Sequence, residues 1–194
     1  ESCESTFIIF RNAEEKTVTG KNYPQPYVLT TIHTPWKVKF EERRQGPKES
    51  VVFNTLTDWI TSEDPRIKYY SGTADYTNTF TIKEIPSQPT YINLGKVVAM
   101  AKVYLNGKYV GGAWTYPYRL NITDYLQKGE NTVKIEVVNN WVNRLIGDLK
   151  LPAEQRSTWT MVNPWRDDSQ LQSSGLFGPV RIESHDYELL KFSP

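Results

Sequence analysis

The stretch Ala99–Gly112, AMAKVYLNGKYVGG, decides how the rest of this sequence is read. Ala101, Val103 and Leu105 fall on one side of an extended chain, and Lys102 and Tyr104 on the other. That is the period-two alternation of a half-buried strand. Asn106-Gly107 follows at once, the pair a two-residue type I′ hairpin prefers because both central residues need positive φ. A strand, a tight turn and a returning strand are predicted.

The same period extends in both directions. Downstream, YRLNI puts Tyr118, Leu120 and Ile122 on one face. A single helical turn is expected next, capped by Thr123 or Asp124 and closed by Gly129. NTVKIEV then buries Val133, Ile135 and Val137 and exposes Lys134 and Glu136. Upstream, ADYTNTFTI alternates until Pro86 and Pro89 end it, YVLTTI and VVF at 51–53 read as strands, and Trp36, Val38 and Phe40 oppose Lys37 and Lys39. NTLTDWITSEDPRI reads as a loop or helical turn, a polar segment runs from about Leu149 to Ser174, and GPVRIES and YELLKF read as closing strands. No segment shows sustained helical periodicity. Eight to ten short strands broken by turn signals predict an all-β fold, an antiparallel β-sandwich of jelly-roll type. Residues 1–24 read as a strand (STFIIFR) and linker from a preceding module, and 25–194 as the sandwich.

Composition narrows the function. A chain of 194 residues suits one domain, or one domain with an appendage. Lacking an initiator methionine or a signal sequence, it is expected to be a mature or excised piece of something longer. The single cysteine, Cys3, excludes a disulfide scaffold and a cysteine-rich zinc site. Net charge is +1, and EERR at 41–44 cancels itself, so there is no basic stripe of the nucleic-acid-binding kind. No apolar run approaches the roughly 20 residues of a membrane span. His33 and His185 lack metal-ligand spacing and read as strand or surface residues. No G-x-S-x-G elbow surrounds a serine, and Gly111-Gly112 lacks the context of a phosphate loop. Glu63-Asp64 and Asp167-Asp168 read as solvated loop carboxylates; no cofactor is expected, a structural calcium being the one metal such loops suit. Asn121-Ile122-Thr123 fits a glycosylation acceptor, but the alternation makes Asn121 an outward strand residue.

Six Trp, twelve Tyr and seven Phe are the compositional excess. Most of the tryptophans are expected in the core, as indoles usually are. The exception to test is VVNNWVNRLIGDLK, Val137–Lys150, where alternation stops and Asn139, Asn140, Trp141, Asn143, Arg144 and Asp148 crowd together. Amides, a guanidinium and a carboxylate bind hydroxyls, and an indole stacks on the apolar face of a sugar. The same groups pin a loop onto a sheet, which is how this stretch is read first. Trp141, Asn140, Asn143, Arg144 and Asp148, with Trp114 and Trp165, are the candidate carbohydrate contacts, and Trp159 is a further exposed-indole candidate.

AKVYLNGKYVGGAWTYPYRLNITDYLQKGENTVKIEVVN resembles the sugar-binding sandwich module of glycoside hydrolase family 2 enzymes, through VYLNGKYVG, the PYR strand with ITDYL, and GEN before the next strand. TPWKVKF, LTDWITSEDPRIKYYSGTADYTNTF, WVNRLIGD and SGLFGPVRI look like the terminal sandwich of bacterial α-L-rhamnosidases of family 106 and related family 2-like proteins. The resemblance implies a galactose-binding-domain-like accessory domain of an exported, extracytoplasmic glycosidase, either α-L-rhamnosidase-like or β-galactosidase/β-glucuronidase-like. Its partner would be the catalytic domain of the same chain, with carbohydrate a further partner. Catalytic residues would lie in that other domain, so none is assigned here. Two alternatives are an autonomous carbohydrate-binding module, and a small sandwich glycosidase using Asp148 and Asp167.

Overall fold

The computed structural model describes residues 18–19, 25–186 and 191–192; STFIIFR and most of YELLKF lie outside the described residues. In chain order the strands are β1 (Val18–Thr19), β2 (Gln25–Thr31), β3 (Trp36–Phe40), β4 (Val51–Phe53), β5 (Thr73–Ile82), β6 (Thr90–Asn93), β7 (Lys96–Val98), β8 (Met100–Leu105), β9 (Lys108–Ala113), β10 (Arg119–Asn121), β11 (Gly129–Val138), β12 (Gly175–Gly178), β13 (Arg181–Asp186) and β14 (Lys191–Phe192). Two short helices interrupt them, α1 (Pro65–Lys68) and α2 (Val142–Leu149).

Two antiparallel sheets carry the fold: six strands in the order β4-β3-β5-β11-β8-β9, and four in the order β10-β6-β13-β2. β12 pairs with β7, and β1 with β14. The spine is the ten-residue pairing of β5 with β11, from Thr73 opposite Val138 to Ile82 opposite Gly129. Its register puts Ile135 opposite Tyr76 on one side and Val103 on the other, so the inward residues of three strands form one row. Val38, Tyr76, Ile135 and Val103 are fully buried, and so are Ile92 and Ile182 of the facing sheet, in the same apolar cluster. A one-residue slip of any of these strands would turn its whole apolar set to water, which is why the alternation specifies the register. The sandwich is thus present, with the predicted faces of β3, β8 and β11 inward.

The hairpin forms as read, with Asn106 at φ 52° and Gly107 at φ 78°. Asn106 also ties the turn to β11: its amide nitrogen donates to Asn131 Oδ1 (2.9 Å), and its Oδ1 accepts from Thr132 N (3.0 Å). The turn after β10 is capped differently from the expectation. It spans Thr123–Tyr125 without a side-chain cap of its own. Asn121 Oδ1 instead accepts from Thr123 N and Oγ1. Gly129, at φ 93°, starts β11 and does not close the turn.

The absence of helix is the second correction. Residues 142–149 are α-helical. Asn140 Oδ1 accepts from Val142 N at 3.1 Å and opens the helix, while Lys150 N bonds to Gly147 O to close it. Its buried side carries Asn143, Arg144, Ile146, Gly147 and Asp148. Four of those five are polar or glycine, and the apolar stripe that the sequence does carry, Val142, Leu145, Ile146 and Leu149 at i, i+3, i+4 and i+7, spans barely two turns, too short to register as sustained periodicity.

An aromatic cluster fixes the end of the sandwich on which α2 lies. Phe40, Trp59 and Tyr70 meet edge to face at 4.8–5.6 Å, a preferred ring geometry. Trp59 Nε1 donates to Tyr76 Oη at 2.6 Å, Tyr70 Oη donates to Thr73 O at 2.7 Å, and Glu41 N donates to Tyr70 Oη at 3.0 Å. These bonds hold the turn at 42–45 after β3 and the segment before β5 against one another.

Candidate functional site

The polar residues of 139–148 are mostly engaged inside the protein. Asn139 bonds across to the segment before β5, donating to Tyr70 O (2.8 Å) and accepting from Gly72 N (3.0 Å). Asn143, 1% exposed, makes a two-bond clamp on the backbone of Gln172, at 2.6 and 2.8 Å. Asp148, 2% exposed, receives Ser157 N (2.9 Å), Thr158 N (2.8 Å) and Thr158 Oγ1 (2.7 Å) on Oδ2. Exposed Asn140 donates to Gln172 Oε1 at 3.0 Å. The far end of the same segment is held by Asp58, whose Oδ1 accepts from Ser174 N at 2.9 Å. The helix α2 therefore anchors the whole polar stretch 149–174 from both ends. With both oxygens so occupied, Asp148 is a structural acceptor, while Asp167 is exposed.

Arg144 is the member of this set with capacity left over. It is 7% exposed, its Nη1 donates to Gln45 Oε1 at 2.9 Å, and the same nitrogen lies 3.6 Å from Asp148 Oδ1. Its Nη2 is buried and has no hydrogen-bond partner among the described residues. Arg144 lines a cavity of about 250 Å³ together with Arg43, Arg44, Gln45, Ser71, Trp141, Ser157, Thr158 and Trp159. Three guanidinium side chains line it and no carboxylate does.

Of the sequence-predicted residues, this cavity gathers Trp141 and Arg144, with Trp159 beside them. Asn143 and Asp148 support it from within, and Asn140 lies at the helix start. Trp114 and half-buried Trp165 are not part of its lining. Reading the sequence missed Arg43, Arg44, Gln45, Ser71, Ser157 and Thr158. The first two carried a signal, EERR, that looked self-cancelling; in the fold Arg43 pairs with Glu41 at 2.8 Å, and Arg44 lines the cavity. The tryptophans also divide differently from the expectation: Trp36 and Trp59 are core, but Trp114, Trp141 and Trp159 are 73%, 55% and 81% exposed.

Two other features lie outside this cavity. A broader depression, about 730 Å³, lies over the outer face of the six-stranded sheet near Lys39, Asp75 and Glu136. Its charges face one another across the strands, Lys39 opposite Asp75 and Asp75 opposite Glu136. Partial burial pushes the Asp75 carboxyl above the usual carboxylate range, against the pull of Lys134. His33 is exposed, while His185 is buried on β13 against the Tyr91 ring, with Nε2 at 3.3 Å from Arg119 Nη1. Among the described residues no three His, Cys, Asp or Glu side chains converge on a metal position.

Two facing antiparallel sheets, a long central pairing of β5 with β11 and an end loop strapped by a short helix define a galactose-binding-like β-sandwich module. Residues 36–169 match the family described as glycosyl hydrolase 2 galactose-binding domain-like, and this chain belongs to that family. It is 34% identical, over 90% of its length, to a putative β-glucuronidase of Formosa agariphila, and 31% identical over 81% of its length to a β-galactosidase of Priestia megaterium. Among solved structures it resembles a rhamnosidase from Novosphingobium sp. PP1Y, at 38% identity over 90% of the chain with a TM-score of 0.79. The β-D-glucuronidase of Dictyoglomus thermophilum, at 19% identity and a TM-score of 0.58, shares the fold. The chain spans only 17% of the Formosa protein, 15% of the Priestia protein and 16% of the rhamnosidase.

Proposed function

We propose that this chain is the non-catalytic sandwich of a larger, extracytoplasmic glycosidase, where it packs against the catalytic domain of the same polypeptide and steadies it. The strapped segment 149–174 supports this reading best. Buried Asp148 and Asn143 anchor it at 157–158 and at 172, and between those points it presents Met161 and Val162 to solvent at 86% and 74% exposure. Ordered apolar residues held out from a domain suit an interface. The relatives support a catalytic domain as the occupant, because each is named as a glycosidase and is at least five times longer than the matched region. The share of the chain committed to a single sandwich core, and the internal engagement of Asp148, favour support over chemistry.

Two measurements test it. The purified chain should turn over no aryl glucuronide, galactoside or rhamnoside; turnover abolished by Asp148→Asn or Asp167→Asn would overturn the reading. Expressed together with the remainder of its parental polypeptide, the chain should co-purify with it. Met161→Asp with Val162→Asp should break that association while leaving the circular dichroism spectrum of the sandwich unchanged. Undiminished association of the double variant would place the interface elsewhere.

A further inference from the structure

The cavity beside α2 has a composition that support alone does not require. Its lining combines three arginines, no acid, the hydroxyl residues Ser71, Ser157 and Thr158, and two largely exposed indoles. Arg43 is already neutralised by Glu41, but Arg144 keeps a buried, unpartnered Nη2. An unsatisfied buried donor is costly, more so on a charged group, and a small turn of the Arg144 side chain toward the cavity would let an anion satisfy it. Arginine also recognises planar or tetrahedral oxyanions through paired N–H donors. The backbone that carries the indoles is anchored: Trp141 immediately precedes α2, and Trp159 follows the two amides bound to Asp148. Indole faces hold the apolar C–H side of a sugar ring while hydroxyls and amides take its polar edge. At about 250 Å³ the space is below the roughly 300–1,000 Å³ of drug-sized pockets and suits one ring rather than a chain.

We infer that this cavity binds a single negatively charged sugar residue, its carboxylate or sulfate on Arg144 and Arg44 and its ring against Trp141 and Trp159. The inference does not depend on how the sandwich packs in a larger enzyme. A domain so equipped would hold an acidic polysaccharide near whatever catalytic site accompanies it.

Calorimetric or NMR titration of the chain tests this with five probes: methyl β-glucuronide, a methyl glucoside 6-sulfate, neutral methyl β-glucoside, acetate and inorganic sulfate. At least one charged sugar should bind with a dissociation constant on the order of 1 mM or tighter, more weakly as salt is raised. The neutral glucoside and the ring-free anions should bind at least about tenfold more weakly, since each lacks either the charge-assisted bonds or the stacked ring. Preference between the two charged sugars assigns carboxylate or sulfate. Trp159→Ala and Arg44→Gln, both exposed positions that carry no core packing, should each weaken binding about tenfold or more. Absence of binding by both charged sugars, equal binding of the neutral or ring-free probes, or unchanged affinity in both variants overturns the inference.

Discussion

Replacing Asp148 by alanine isolates what the helix α2 does for the loop. In the native fold its Oδ2 takes the amides of Ser157 and Thr158 at 2.9 and 2.8 Å and the Thr158 hydroxyl at 2.7 Å. Its Oδ1 lies 3.6 Å from the Arg144 guanidinium, with both side chains under a tenth exposed. Alanine leaves that buried cation with only Gln45, and removing one partner of a buried pair costs roughly 3–5 kcal/mol. Each lost bond to a charged acceptor adds about 1.5–3 kcal/mol. The full sum will not be realised, because Ser157 is exposed and the freed amides can turn to water. A net loss of about 3–4 kcal/mol is expected, a large part of the roughly 5–15 kcal/mol of a typical domain. Urea unfolding at pH 7 followed by far-ultraviolet circular dichroism measures it. Native-state tryptic cleavage after Arg156 and Arg166 should accelerate in parallel as the strap opens. Asn143→Ala, which removes the Gln172 clamp and no charge, should cost less, about 2 kcal/mol. A loss below about 1 kcal/mol for Asp148→Ala, with unchanged cleavage at both arginines, would refute the anchoring argument.

Three further perturbations have calculable signs. A Cβ on Gly147 would meet Tyr69 Cγ at 2.6 Å. Gly147→Ala should therefore destabilise by about 1–3 kcal/mol despite its gain in helix propensity, and lower the melting temperature by several degrees; a rise in Tm would contradict the packing. Burial raises the folded-state pKa of Asp75, so ionising it penalises the fold once pH exceeds the unfolded carboxylate range. Asp75→Asn should be stabilising at pH 7 and neutral in acid; a loss of stability at pH 7 would remove this account. Burial also pushes Tyr70 from 10.0 up to about 12, and moves Tyr76 upward too. Below pH 10 the phenols are neutral in both states, and above it only the unfolded chain releases their protons. Stability should thus fall between pH 10 and 12, by about 2 kcal/mol from Tyr70 alone, and Tyr70→Phe should flatten the slope. A flat profile for the native chain over that window would count against the burial of Tyr70.

How far these features were legible depends on period. In β3, β8 and the second half of β11 every second residue is apolar and packs into the same buried row, so the pattern alone identifies strand, face and register. In α2 an apolar stripe exists, Val142, Leu145, Ile146 and Leu149, but it spans only two turns, and of its members only Ile146 is buried beside Asn143, Arg144, Gly147 and Asp148, so the stripe is short and does not coincide with the packed face. The candidate site was half visible. Trp141 and Arg144 stood out as a break in alternation, whereas Arg44 and Gln45 are local turn residues until the fold carries them to α2. Glu41 and Arg43 do cancel, as the run EERR suggests, but the cancellation stops one residue short of Arg44.

The sequence by itself determined the antiparallel sandwich, the Asn106-Gly107 hairpin and the strand faces, because those depend on residues one or two places apart and on backbone geometry at the turn. Tertiary structure alone decided which polar groups are spent and which are left over. Gln45 and Arg144 are 99 residues apart, and Asp58 and Ser174 are 116. Contacts of that range absorb Asn143 and Asp148 into a strap, hold Trp159 in the open, and leave one guanidinium nitrogen buried without an acceptor. Hydrogen-bond satisfaction is a property of completed contacts, and no local pattern encodes it.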